Sequence, residues 1–303
     1  MSGSWKFPAA PEVPAQQRAS ASFELRYDDL TQDGHVKLTA LPNAIGRACF
    51  AKLWVHHPLL AVYQQGIVPI LTRLVIESDP ASTPLGVHGE ADGTMELAHE
   101  LDSAGQVSAL VLNMAAEVRG PLGRSYGQQP PGAGSQVSLG RVFSEHVFTK
   151  PFAPAGERKV LRFEVPGQPA VPQTRYQRRT LAELLQLPAA AQPLDEHFVT
   201  DPAAWVFGLT HTDNNQHVNS LVYPRLFEDA ALRRLFDRGQ GSRFLARATE
   251  LVYRKPCFAG ERVVCSMRAF VAGETHGVVG YVGSEAAPPE RAHCAIRMLF
   301  RPA

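Results

Sequence analysis

The sequence predicts an α+β protein made of two similar units, each an antiparallel sheet with one long helix. Three observations carry that prediction. A strand-like run, a helix with a single apolar stripe and a series of short β-type runs follow one another near the N-terminus, and the same order returns in the last third of the chain. The offset that carries His35 onto His217 also carries Val36 onto Val218, Pro42 onto Pro224 and Ala48 onto Ala230. Hydrophobic residues make up 45% of the 303, enough to bury a core in each copy.

Taken in order, residues 1–20 are rich in Pro, Ala, Gln and Ser and read as a loose arm. The first unit is expected over 21–120. Residues 23–27 alternate in the strand manner. Over 41–54 the residues Ile45, Ala48, Cys49 and Leu53 share one helical face, and Pro42 suits a first turn. From Val68 onward, β-type runs at 70–76 and 107–112 are separated by Asp-Pro, Asp-Gly and Ala-Gly turn signals. Residues 121–140 have linker composition and open a connecting segment, 121–200, with strand character at 159–165 and a short helix at 180–187. The second unit is expected over 201–303: a strand at 205–209, a polar stretch at 211–220, a helix at 223–236, and β-runs at 246–254, 261–270, 277–283 and 292–300. That helix aligns Leu226, Phe227, Ala230, Ala231 and Leu235, with Arg233 and Arg234 outside the stripe.

Composition narrows the function. Thirty basic and 29 acidic side chains leave a formal charge of +1, which argues against nucleic acid or an anionic membrane as partner. No apolar leader opens the chain and no run is long enough to cross a bilayer, so a cytoplasmic location is expected. The four cysteines, Cys49, Cys257, Cys265 and Cys294, are widely spaced with neither Cys-x-x-Cys nor a Cys/His cluster. No metal, disulfide framework or organic cofactor is therefore expected.

The polar stretch, His211-Thr-Asp-Asn-Asn-Gln-His-Val-Asn-Ser220, has one apolar residue in its length and leads directly into the second helix. From Thr212 to Ala230 the sequence resembles the signature of hot-dog acyl-thioesterases. The spacing from Asp213 to Glu228, with Tyr223 and Phe227 between, is similar to the 4-hydroxybenzoyl-CoA thioesterase type. Asp213-x-Asn215-x-His217-Val-Asn219 resembles the acyl-ACP thioesterases, whose chains are two hot-dog units in tandem. Residues 250–261 resemble the strand and turn that follow the helix, with Cys257 where those enzymes carry a cysteine assigned to an Asn/His/Cys set. Pro256 departs from the pattern by replacing the acidic residue before that cysteine, and Glu250 is the nearby carboxylate able to substitute.

The resemblance implies a double hot-dog fold, each unit a sheet wrapped around one long helix, and hydrolysis of an acyl thioester of CoA or acyl-carrier protein. It implies Asp213 as base or nucleophile, Asn215 and His217 as orienting groups, Glu228 as a second carboxylate and Cys257 as a further catalytic candidate. Tyr223, Arg225 and Arg254 are the candidate substrate-binding residues, since a guanidinium such as that of Arg225 suits the phosphates of coenzyme A or of a carrier arm. Physical chemistry supports the assignment independently: thioester hydrolysis needs a base for water and donors for the oxyanion, and a polar loop at a helix N-terminus offers both. The bland readings stand beside it. Asp213 and Asn214 suit turns and caps, and Cys257 suits a core. An acyltransferase, a 3-hydroxyacyl-thioester dehydratase and a non-catalytic acyl-thioester binder remain alternatives on the same fold. In the first half Thr31 stands where Asp213 stands, with Asp33 at Asn215 and His35 at His217, so the chemistry is expected in the second loop. Two fused units complete one hot-dog pair, which allows a monomer as well as a homodimer.

Overall fold

The computed structural model describes residues 5–241, 243–285 and 287–302. One unit spans Pro8–Arg178; the other spans Arg179–Ala303 and includes the N-terminal residues as far as Phe7. In the first, β1 (Arg18–Glu24), β2 (Val68–Ser78), β3 (His88–Leu101), β4 (Val107–Pro121) and β5 (Gln136–Thr149) form an antiparallel sheet in the order β1-β3-β4-β5-β2, and β6 (Thr174–Arg175) adds to β3 in parallel. Period-2 patterning makes β3, where Gly89, Ala91, Gly93 and Met95 are buried while the residues between them are not, whereas β4 is an apolar run buried continuously over 109–116. The β3–β4 turn is an Asx turn, with the Asp102 carboxylate accepting from the N–H groups of Ala104 and Gln106. The Pro- and Gly-rich stretch after Pro121 is the connection between β4 and β5, so the first unit continues well past residue 120.

The expectation of one long helix here is not met. Short helical turns replace it: 3-10 at Leu38–Ala40, wide π turns at Ile45–Phe50, then 3-10 at Trp54–His56 and Pro58–Gln65. Gly46 lends the segment little helical stability and Pro58 breaks its continuation. The apolar stripe is nevertheless buried as the sequence implies, with Ile45, Ala48, Cys49 and Leu53 at most 8% exposed. It sits so close to β3 that a Cβ on Gly93 would lie 2.7 Å from Ala48 Cβ and 2.8 Å from Cys49 Sγ. Only glycine permits that approach.

The second unit begins with α1 (Leu181–Leu184), closed by a capping box between Thr180 and Glu183. Short strands β7 (Gln192–Pro193), β8 (Val199–Thr200) and β9 (Trp205–Val206) pair with one edge of the sheet, α2 (Val222–Asp237) follows, and β10 (Phe244–Tyr253), β11 (Arg262–Ala272), β12 (Thr275–Gly283) and β13 (Cys294–Pro302) complete it in the order β10-β13-β12-β11. This order, with β9 outside β11, matches β2-β5-β4-β3-β1 strand for strand. Expected strands at 159–165 and across 205–209 reduce to a bridge between Thr149 and Lys159 and to the two residues of β9. α2 lays Tyr223, Leu226, Phe227, Ala230, Ala231 and Leu235 against β10–β13, with Leu226, Phe227 and Leu235 each contributing about 1.5–3 kcal/mol and the alanines less. Its end is capped by Gly239 at φ 70°, with the Gln240 N–H reaching the Leu235 carbonyl at 3.1 Å. Among the described residues no helix is long and apolar enough to cross a membrane.

Candidate functional site

The polar stretch folds as a tight loop between β9 and α2. Phe207 is buried at its base, a 3-10 turn at Leu209–His211 follows, and a bridge between Thr212 and Val218 pinches it closed. Inside the pinch the Asp213 N–H donates to the His217 carbonyl at 3.1 Å and the Gln216 N–H donates to the Asp213 carbonyl at 2.9 Å. Gln216 takes φ 64°, the left-handed conformation that closes such a turn.

The Asp213 carboxylate is half-buried and held at both oxygens. Oδ1 accepts from the Asn215 N–H at 2.9 Å, and Oδ2 accepts from Asn219 Nδ2 at 3.1 Å. Each oxygen keeps a further lone pair for water or substrate. Asn219 also organises the start of α2, its Oδ1 accepting from the Leu221 N–H at 2.9 Å and its carbonyl from the Val222 N–H at 3.0 Å. The Leu221 and Val222 N–H groups are thus engaged, and Pro224 has none, so the helix end is less open to an anion than the sequence implies. His217 is half-buried with Nδ1 3.2 Å from the Val218 carbonyl, which leaves Nε2 for another partner.

A second group lies beside the loop. The Val218 N–H donates to the Cys257 carbonyl at 2.8 Å, and the Cys257 N–H donates to the Tyr223 hydroxyl at 3.1 Å. Burial pushes the Cys257 thiol up to about 12, with the Tyr223 hydroxyl working against that rise. Burial also raises the Tyr223 phenol, and its ring packs edge-on against Tyr253, whose hydroxyl donates to the Ser220 carbonyl at 2.9 Å. The cysteines are free and buried, as a core reading implies. The absence of a Cys/His cluster in the sequence does not carry over to space, however: one ligand atom from each of Cys257, Glu261 and His293 lies within 4.8 Å of the others.

The structure therefore joins Asp213, Asn215 and His217 in one loop and Tyr223 and Cys257 in the adjoining group. Glu228 is half-buried further along α2, while Arg225 and Arg254 are exposed. Glu250 pairs with Arg179 at 3.0 Å, a commitment that weighs against its replacing the carboxylate lost at Pro256. Arg233 pairs with Asp201, and Arg234 with Asp195, which also binds Arg238 and the Ala269 N–H. Those arginines tie α2 to its own unit. Asn219 was the organising residue missed as a site candidate, although it stands within the motif two positions after His217.

The fold so defined is that of the tandem hot-dog proteins. By structure the chain is similar to a protein provisionally assigned as an oleoyl thioesterase from Lactobacillus plantarum, at a TM-score of 0.57 and 14% identity over 94% of this chain and 95% of that one. It is also similar to an acyl-ACP thioesterase from Bacteroides thetaiotaomicron, with TM-score 0.55, 14% identity, and 94% and 98% of the two chains covered. A 12:0-ACP thioesterase from Umbellularia californica gives TM-score 0.57 and 13% identity, with 95% of each chain covered. No protein-family model and no curated protein matches the sequence.

Proposed function

We propose that the protein hydrolyses an acyl thioester, carried by coenzyme A or by an acyl-carrier protein, with Asp213 activating water or attacking the carbonyl directly. The observation that carries the reading is the Asp213 carboxylate itself. It is fixed by two donors in a loop at the head of α2, and its two oxygens retain lone pairs. The tandem fold shared with acyl-ACP thioesterases supports the substrate class, and the loop spacing supports the role of the carboxylate.

In this reading Asn215 and His217 orient the water or the thioester carbonyl, with the Nδ1 proton of His217 on the Val218 carbonyl and its Nε2 lone pair as the available acceptor for water. Asn219 positions Asp213, and Glu228 is the reserve carboxylate. Arg225 and Arg254, both exposed, suit the phosphates of the carrier. Tyr223 contributes an apolar wall rather than a free hydroxyl, because that oxygen already accepts from Cys257. A cysteine nucleophile is disfavoured, since a thiol raised to about 12 is almost wholly protonated at neutral pH.

The test is thiol release from a panel of acyl-CoA and acyl-carrier-protein thioesters by wild type, Asp213→Asn and Cys257→Ala. Release by wild type and by Cys257→Ala, with loss in a folded Asp213→Asn, is the expected result. Activity that survives in Asp213→Asn and disappears in Cys257→Ala overturns the assignment.

A further inference from the structure

Cys257 and Glu261 lie on the turn between β10 and β11, and His293 immediately precedes β13, the neighbour of β10. Each residue supplies a ligand atom within 4.8 Å of the other two. The turn is well fixed. The Phe258 N–H donates to Glu261 Oε2 at 3.2 Å, and the Glu261 N–H donates to the Phe258 carbonyl at the same distance. His293 Nδ1 stands 3.1 Å from the Pro256 carbonyl, which assigns its proton to Nδ1 and leaves a lone pair on Nε2. A backbone carbonyl behind the ring is the usual device for orienting a metal-binding imidazole. Cys257 is fully buried, His293 is 5% exposed and Glu261 is half-buried.

Without a cation the thiol and the Phe258 N–H both serve the Glu261 carboxylate, and the group holds more acceptors than donors. A carboxylate and an imidazole lone pair both accept, and the thiol has one weakly donating proton to share between them. We propose that Cys257, Glu261 and His293 bind one Zn²⁺, with a water entering beside the half-exposed Glu261 as fourth ligand. Thiolate, imidazole and carboxylate are zinc ligands at about 2.0–2.3 Å, which sets neighbouring ligand atoms roughly 3.5 Å apart, so side-chain rotations of about 1 Å close the shell. On binding, the Cys257 thiol releases its proton to solvent as the sulfur–zinc bond forms, and thiolate plus carboxylate balance the divalent charge. The Lys255 ammonium opposes a cation here, but it is exposed and screened. Because the Cys257 carbonyl receives the Val218 N–H, the ion would brace the turn that supports the polar loop.

The experiment is a Co²⁺ titration of the full-length, chelator-treated protein followed by Zn²⁺ displacement. One equivalent should bind, giving tetrahedral visible bands and a near-ultraviolet thiolate-to-cobalt band, both abolished by Zn²⁺. Cys257→Ser should lose the charge-transfer band. His293→Gln should weaken Zn²⁺ binding by more than about 100-fold, since even groups behind metal ligands are worth about 10–100-fold. Absence of stoichiometric uptake by folded wild type overturns the proposal without recourse to any variant. A charge-transfer band that persists in Cys257→Ser overturns it equally, because the metal is then bound elsewhere. Neither result depends on thioester hydrolysis.

Discussion

The loop around Thr31 and the loop around Asp213 have the same backbone and different chemistry. In the first, the Thr31 N–H donates to the His35 carbonyl at 2.8 Å, the Gly34 N–H to the Thr31 carbonyl at 3.0 Å, and the Lys37 N–H to the Asp29 carbonyl at 2.8 Å. In the second, Asp213 bonds His217, Gln216 bonds Asp213, and Asn219 bonds His211 through the same atoms at 2.9–3.1 Å. Even the entry matches: the Arg26 N–H donates to the Asp29 carboxylate and the Gly208 N–H donates to His211 Nδ1, both at 2.9 Å. The side chains diverge. Thr31 Oγ1 spends itself on the His35 N–H at 3.1 Å, whereas Asp213 carries a charge and spare lone pairs on a scaffold built by Asn219. The turn is thus structural in origin, and a fixed carboxylate is added to it in the second unit by two side chains, Asp213 and Asn219.

The largest expected effect breaks the symmetry directly. Asp213→Asn should lower thioester hydrolysis by about 100-fold or more, the usual scale for losing a general base, because an amide keeps the acceptor for the Asn215 N–H and has no basicity. Thr31→Ala should leave turnover unchanged. Thiol release by both variants, with circular dichroism to establish folding, checks the pair. Equal losses would mean that the first loop takes part in the chemistry.

The sheets behind the loops differ in a way that pH can read. At the pair before each β-bulge, Leu71 faces His146 in the first unit and Ala246 faces Phe300 in the second. Burial lowers the His146 imidazole to about 4, and its Nδ1 and the nearby Ser144 hydroxyl have no hydrogen-bond partner. Since the folded value lies below the unfolded 6.5, the unfolded chain takes up a proton first as pH falls. The neutral ring's contribution is complete above pH 6.5 and is lost between 6.5 and 4, at about 1.4 kcal/mol per pH unit. Urea midpoints at pH 7 and pH 5 should therefore fall further for wild type than for His146→Phe. Parallel losses would assign the acid sensitivity to other groups.

Much of this was legible in the sequence. The strands at 246–254, 261–270, 277–283 and 292–300 each fall within two residues of β10 to β13, because short apolar runs bounded by turn residues signal strands buried on both faces. The register between the two loops was also legible, through His35 and His217. The first helix was not, because an apolar stripe reports which face is buried and is silent about π or 3-10 winding around Gly46 and Pro58. Nor was the grouping of Cys257, Glu261 and His293, which arises from antiparallel pairing of β10 with β13 and leaves no local spacing to read.

Asn219 and Lys37 occupy corresponding places and should respond differently. Asn219→Ala removes the donor to Asp213 Oδ2 and the acceptor for the Leu221 N–H, so stability should fall by about 1–2 kcal/mol and turnover should fall with it. Lys37 Nζ only reaches the exposed Asp28 carbonyl, and Lys37→Ala should stay within about 0.5 kcal/mol of wild type. Denaturant melts of the two variants sharpen the contrast between Asn219, which organises its loop, and the exposed Lys37 at the same position.

The smallest effect concerns the residue that closes each turn, Gly34 at φ 80° and Gln216 at φ 64°. Gly34→Ala places a Cβ 3.4 Å from Ser82 Cβ and from the Thr83 carbonyl oxygen, ordinary contacts, so the cost is the left-handed backbone itself, about 1 kcal/mol. Gln216→Gly removes that same strain but loosens the unfolded chain by about 0.5–1 kcal/mol, and the two terms should leave a net change below about 0.5 kcal/mol. If Gln216→Gly instead stabilises by well over 1 kcal/mol, the second loop holds strain that the first lacks. The site would then be built on a tensioned turn rather than on a plain copy of the first.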